Sequence, residues 1–416
     1  MVFFFAMSEQ SDNRETGSDG ADCGMAYRDR DAHVTAATAR PSGGPSNRGY
    51  APWFFVILGV LILIPSGQSL WIDEGFILPY AKPVSMTEFG SLLTCDTGSE
   101  ALMPLGMISI WAGAKVFGQS ERGLRAVSAV WAAVAVFLMW RAGVRVGMPW
   151  MALALAFHPF LWHYGGEARP YAMMIAMATG ALLTLVGAAY SGTGEVGGLT
   201  TLLIFGPLLC GTHLLGVVPF AATVIAFVIL NRTKIGRMTR AEWVGAAISF
   251  LSIVCLGAYY LWTLARGADT AWSDGPWRIN VGGIFFSAYE LLGFAGFGPG
   301  RFELRNLALE GGMAGALSGL WRPSLIGTLG LLIILLCVSV RLLKLLRTGS
   351  GSPAFQAVLS TGFVAAATVG AMLVSSIVFR TPFWGRHVAA ALPYLVFILV
   401  MGAEYAAVQK RTGRAS

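Results

Sequence analysis

Apolar runs about twenty residues long recur along most of this chain, and that length crosses the hydrocarbon core of a bilayer as a helix. Ten such spans are predicted, at 52–70, 123–140, 148–163, 170–190, 199–211, 213–230, 242–264, 324–343, 355–378 and 388–407. The fifth is short enough to be broken or tilted. Only 12% of residues are charged, where a soluble domain carries about a quarter, so a large water-soluble domain is excluded. In lipid the backbone must satisfy its own hydrogen bonds, which leaves an all-α polytopic helical bundle as the expected fold.

Two further segments are apolar but interrupted. Residues 101–118 contain Pro104 and Lys115, which suits a helix lying in the membrane interface, with an eleventh span as the alternative. Residues 281–298 contain Glu290 and several glycines and suit an interfacial or re-entrant segment, a twelfth span being the other reading. The segment 1–50 is rich in Ser, Gly, Asp and Arg and is expected to be a disordered cytoplasmic tail. Met7 and Met25 are alternative first residues. Residues 51–410 are expected to form one transmembrane domain. The five cysteines, Cys23, Cys95, Cys210, Cys255 and Cys337, form no CxxC pair and no disulfide framework.

The net charge of +7 sits largely in short loops. Arg141 and Arg145 follow the second span, Arg232 to Arg240 the sixth, Arg341 to Arg347 the eighth, and Lys410 to Arg414 the tenth. With ten spans all four clusters share one side, and the positive-inside rule makes that side cytoplasmic, with both termini. The charge is an orientation signal, and no nucleic-acid partner is expected. The opposite side receives arginines that the rule disfavours, Arg169, Arg266, Arg278, Arg301, Arg305, Arg322, Arg380 and Arg386 among them. Anion binding at the outer surface would use them; solvated pairing with nearby acids is the plainer reading of most.

Three segments join charge to a membrane boundary: "WIDEGF" (71–76), "HYGGEARPYAM" (163–173) and "FRTPFWGRHVAAALPY" (379–394). Ionisable side chains are costly at such depths and point to function. A carboxylate such as Asp73 or Glu74 can act as general base on a hydroxyl or hold a divalent cation, Mg or Mn. Arginines suit a phosphate, which they can grip bidentately. The combination fits a substrate with a hydroxyl, a phosphate and a lipid tail.

The same residues resemble the GT-C glycosyltransferases, in particular the family 39-like group of protein O-mannosyltransferases and lipid A aminoarabinose transferases. "LWIDEGF" (70–76) looks like that group's acidic motif, and "MPLGMISIWAGAKVFGQSERGLRAVSAVW" (103–131) like its proline-led interfacial helix and second span. "EARPYAMM" (167–174), "GTHLLGV" (211–217) and "GRHVAAALPYLVFIL" (385–399) are similar to later family segments. The resemblance implies a GT-C-like bundle with interfacial helices in the first extracytoplasmic loop. It also implies a polyprenyl-phosphate sugar donor, inverting transfer to a glycan, lipid or protein hydroxyl, and contact with membrane lipids of the cell (inner) membrane. Asp73 would then be the acid that activates the acceptor, directly or through a metal, with Glu74 assisting it or organising the loop. Arg169, Arg386, His387 and Tyr171 would contact the donor phosphate, supported by Glu167 and His163. Leu102-Met103-Pro104 replaces the polar contact that relatives place before the interfacial helix, and Gly106 and Met107 replace an aromatic pair.

Plainer roles compete at each position. Glu167 and Arg169 could form a local ion pair, Arg386 could be an interfacial anchor beside Trp384, and Glu121 and Arg125 are spaced as an i,i+4 pair. His158, His163 and His387 could ligate a metal only if the first two shared a helix face, which their spacing forbids. His213 is expected to be a polar contact between helices. The competing function classes are a transporter or flippase for a lipid-linked saccharide, which calls for charge near the bilayer midplane, and a catalytically inactive lipid-binding relative.

Overall fold

A computed structural model describes Leu70 and residues 72–96, 98–191, 196–267, 281–296, parts of 303–315, 325–348, 351–378 and 383–412. Among the described residues there is no strand. The helices are α1 (Ile72–Gly75), α2 (Leu78–Ala81), α3 (Met86–Cys95), α4 (Pro104–Phe117), α5 (Glu121–Arg145), α6 (Met151–Ala156), α7 (Pro159–Gly165) and α8 (Tyr171–Tyr190). They continue as α9 (Leu199–Thr212), α10 (Val217–Asn231), α11 (Arg240–Gly267), α12 (Val281–Leu291), α13 (Leu325–Thr348), α14 (Pro353–Val378) and α15 (Leu392–Thr412). Short 3-10 turns at Ser99–Leu102, Leu214–Gly216 and Gly385–Ala391 lead into α4, α10 and α15.

Among the described residues six segments are long and apolar enough to cross a membrane: α5, α8, Leu214–Asn231, α11, α14 and Gly385–Glu404. The molecule is therefore an all-helical, multi-span membrane fold. The expected first span, 52–70, lies outside the described residues but for Leu70. The expected third span, 148–163, is instead two short helices, α6 and α7. The cause is His158-Pro159: proline disfavours the helical conformation at the residue before it, and His158 is extended at ψ 122°. His158 Nδ1 then accepts from Phe160 N at 3.2 Å and starts α7 afresh. The fifth, α9, is short as expected, at 14 residues with Pro207 inside. α4 and α12, at 14 and 11 residues, are too short to span upright, in keeping with interfacial placement.

The bundle is organised around α8. Its sequence, YAMMIAMATGALLTLVGAAY, is apolar on every side, and a helix of that kind belongs in a core. It packs against α5, α9, α10, α14, α15 and the Gly385–Ala391 turn. Small residues allow close approach: a Cβ at Gly180 would lie 2.2 Å from the Phe205 ring. α11 is the opposite case, with 11% of its apolar window buried, as befits a helix facing lipid.

The two ends of α8 differ in charge. At its C-terminal end Arg145 Nη1 donates to Leu183 O (3.3 Å) and Lys234 Nζ to Ser191 Oγ (2.9 Å), so two of the basic loops meet there. Arg169 and Tyr171 stand at the other end, about 30 Å away along the 20-residue helix. Arg145 and Lys234 thus share one end, as expected, with the EARPY turn opposite.

The junction into α9 depends on Gly198. It has φ +83°, and a Cβ there would lie 2.1 Å from Thr184 O. Gly198→Ala is predicted to destabilise the protein by about 1–3 kcal/mol through strain and overpacking, measured as a lower thermal midpoint in detergent.

Candidate functional site

The acidic segment folds as one short turn, α1. The side chain of Asp73 lies outside the described residues. Glu74 is 0% exposed. Its Oε2 meets Arg125 Nη2 at 2.6 Å, and its Oε1 accepts from Arg125 Nε at 3.0 Å and from the backbone N–H of Ala168 at 2.7 Å. One carboxylate therefore joins the first loop, the first turns of α5 and the turn before α8. Arg125 is in position because Ser120 caps α5, its Oγ accepting from Gly123 N at 3.2 Å.

This corrects the expected Glu121–Arg125 pair. Arg125 forks onto Glu74 from 51 positions away, and Glu121 Oε1 accepts from Leu70 N at 3.3 Å. Of the two roles expected for Glu74, assisting the acid or organising the loop, these contacts are of the second kind. A carboxylate held by a guanidinium and a backbone N–H fixes the position of the chain on either side of it.

The turn 166–170 carries the next charges. Arg169 Nη1 donates to Glu100 Oε1 at 2.7 Å, with both side chains more than nine-tenths buried. Burial alone would lower the pKa of Arg169, but Tyr171 and the Glu100 hydrogen bond outweigh it and raise the value. The guanidinium carbon lies 5.9 Å from the Tyr171 ring centroid, and Ser128 Oγ holds the Arg169 carbonyl at 3.0 Å. The expected local Glu167–Arg169 pair is absent from this arrangement. Glu167 instead accepts from His163 Nε2 at 3.0 Å. Gly106, at the position of the missing aromatic pair, sits where a Cβ would lie 2.5 Å from Pro170 and 3.0 Å from Thr212 O. α4 crosses the arginine turn there with no space for a ring.

Further groups gather at this end of α8. His213 starts the turn into α10, its Nδ1 accepting from Leu215 N at 3.1 Å, and its ring stacks on Tyr171 at 6.2 Å between centroids. Burial pushes its pKa down to about 3, and the charges of His387, Arg169 and Arg386 act in the same direction. His213 is therefore neutral, in the positive field of three groups from two distant segments. Arg386 lies over the Trp384 ring at 3.8 Å, and His387 stands 5.7 Å from the same ring. The anchoring contact beside Trp384 thus exists, and the charges of Arg386 and Arg169 both act on His213. Tyr164 stands edge-on to Tyr171 at 5.3 Å. Burial, Glu290 and Glu167 raise its pKa, with Arg386 opposing.

Sequence reasoning placed Arg169, Tyr171, Arg386, His387, His163 and Glu167 in the site, and all of them stand at this end of α8. It missed Glu100, Arg125, His213, Tyr164 and Glu290. Glu290 reaches Gly385, where a Cβ would lie 2.4 Å from its Oε2. Its charge inside an apolar segment was a usable signal; nothing in the local spacing marked Arg125 or Glu100. Among the described residues no three His, Cys, Asp or Glu side chains are grouped to hold a metal. The Glu74 oxygens are already engaged by donors, so that residue does not fit a cation.

No family model and no curated protein matches the chain. A matching solved structure is that of ArnT from Cupriavidus metallidurans in the apo state, at 14% sequence identity and a TM-score of 0.42, covering 85% of this chain and 76% of that one.

Breaking a buried ion pair from one side strands a charge, at about 3–5 kcal/mol. Glu74→Gln and Arg125→Met are each predicted to destabilise on that scale, and the double variant by clearly less than their sum, read by thermal unfolding as a double-mutant cycle. A second prediction concerns His163. Desolvation of its inner side lowers its pKa, although the side chain is 57% exposed, and the Glu167 hydrogen bond and nearby carboxylates more than reverse this. The raised folded value gives stability that is complete below the unfolded pKa of about 6.5 and is lost as pH rises through the folded one. His163→Gln should remove that decline from the pH profile of the thermal midpoint.

Proposed function

We propose that this chain is an integral membrane glycosyltransferase of GT-C type. It moves a sugar from a polyprenyl-phosphate donor to a hydroxyl of a glycan, lipid or protein acceptor, on the extracytoplasmic side of the cell membrane. The observation that carries the reading is the Glu74 clamp. By binding Arg125 and Ala168 N it ties the turn that contains Asp73 to the residue beside Arg169. That tie supports a reading in which the acid and the cationic cluster work together.

Asp73 is the general base in this reading. It takes the proton of the acceptor hydroxyl as that oxygen attacks the anomeric carbon. The bond from that carbon to the phosphate oxygen breaks, its electron pair leaves with the phosphate, and the configuration inverts. The leaving group is then a phosphate monoester anion, so no strong general acid is required. Arg169, Arg386 and His387 stabilise its growing charge by position and electrostatics. Tyr171, stacked on neutral His213, fixes the face on which the phosphate rests. Glu74 positions, as does Glu167 through His163. No step is assigned to a divalent cation. Residues 51–410 act as one membrane domain with both termini cytoplasmic.

The test is transfer from a polyprenyl-phosphate sugar by purified protein in lipid nanodiscs. Loss of a general base costs about a hundredfold to ten-thousandfold in rate, so Asp73→Asn should lower kcat on that scale with the fold intact. Arg386→Ala should raise the donor KM about tenfold or more. Asp73→Asn turning over at the wild-type rate would overturn the assignment.

A further inference from the structure

Glu100 is a carboxylate placed against the very arginine that a donor phosphate would use. We infer that Glu100 governs product release: it limits how tightly the site retains the phosphate monoester left after transfer. This rests on the proposed polyprenyl-phosphate reading.

Two buried acids stand near the site, and their bonding differs. Glu74 is gripped by three donors from two remote elements, the two Arg125 nitrogens and Ala168 N. Glu100 meets Arg169 through Nη1, and its other hydrogen bonds come from the neighbouring Ser99 hydroxyl, at 3.0 Å to each oxygen. The Ser99–Leu102 turn that presents it is tied at its backbone, Ala101 O accepting from Tyr259 OH at 2.9 Å and Met103 N donating to Glu100 O at 3.0 Å. The backbone is thus fixed, and the carboxylate has one remote donor, Arg169 Nη1, where Glu74 has three. Glu74 is a permanent clamp, and Glu100 is an exchangeable partner.

The charges give that difference a purpose. A sugar-bearing donor is a phosphodiester with one negative charge. The product is a monoester with a second pKa near 6, so it carries about −1.5 to −2 at neutral pH. A site built only of cations would hold product more tightly than donor and stall after one turnover. A carboxylate held beside Arg169 by a turn tied at its backbone repels an anion in proportion to that anion's charge, and so weighs more on the product than on the donor.

The probes are decaprenyl monophosphate and its monomethyl ester, the latter carrying the single charge of a donor, titrated at pH 7.5 into the full chain in nanodiscs. Glu100→Gln should bind the monophosphate about tenfold tighter and the methyl ester about threefold tighter. Without ligand it should unfold at a lower temperature, and Glu100→Asp should behave as the wild type. The affinity gain should vanish in an Arg169→Met background. A merely structural Glu100 would lower the unfolding temperature and leave the ratio of the two affinities unmoved, which would overturn the inference alone. Absence of binding of either compound to both the wild type and Glu100→Gln would overturn the donor reading and the inference with it. Should Glu100→Gln not fold, the wild type still decides: monophosphate bound tenfold or more tightly than the ester contradicts the inference, and near-equal affinities support it.

Discussion

Glu74 carries its charge into a space sealed from solvent, and three donors meet it there. Taking a carboxylate and a guanidinium out of water costs several kcal/mol each, and the pair repays this only with close geometry and further hydrogen bonds. The contacts at 2.6, 2.7 and 3.0 Å supply both. The geometry is demanding because the partners are remote in sequence: residue 74, residue 125 and residue 168 must arrive together. Such a junction is a poor source of net stability and a strong constraint on arrangement. It fixes the acidic turn, the start of α5 and the turn before α8 as one corner.

The rest of the site hangs on that corner. Ala168 donates to Glu74, and the next residue is Arg169, whose guanidinium meets Glu100. Two residues on is Tyr171, the first residue of the buried helix α8, stacked on His213. Arg386 and His387 reach the same region from the turn before α15, close enough for their charges to depress the basicity of His213. The body of α8 is apolar, and its cationic partners stand at its ends. Charge at one boundary suits chemistry on a headgroup held at the surface. A carrier that moves a charged group across the bilayer calls for charge near the midplane.

The fold was legible where hydropathy alone decides it. The long runs behind α5, α8, α11 and α14 are bounded by charge or proline, and their helices fall within a few residues of the expected limits. The run at 148–163 misled because its apolar character hides His158-Pro159, whose backbone preference breaks the helix whatever the hydropathy. In the site, segment-level convergence was legible, since arginines at a membrane boundary are costly unless used. Pairing was not. Arg125 has an acid one turn away at Glu121, and the local partner is all that a sequence displays; the fold prefers Glu74, 51 residues distant, because burial makes the bidentate contact worth more than an exposed i,i+4 pair. Glu100 lies 69 positions from Arg169, and its pairing needed the fold to be seen.

The central claim is that a lipid-linked phosphate occupies the end of α8 where Arg169, Arg386 and His387 meet. A cryo-EM structure of the full chain with bound decaprenyl monophosphate tests it most directly. The account predicts phosphate density within hydrogen-bonding distance of the Arg169 and Arg386 guanidinium groups, with the prenyl chain running toward lipid. Phosphate density at the opposite end of α8, beside Arg145 and Lys234, would contradict it.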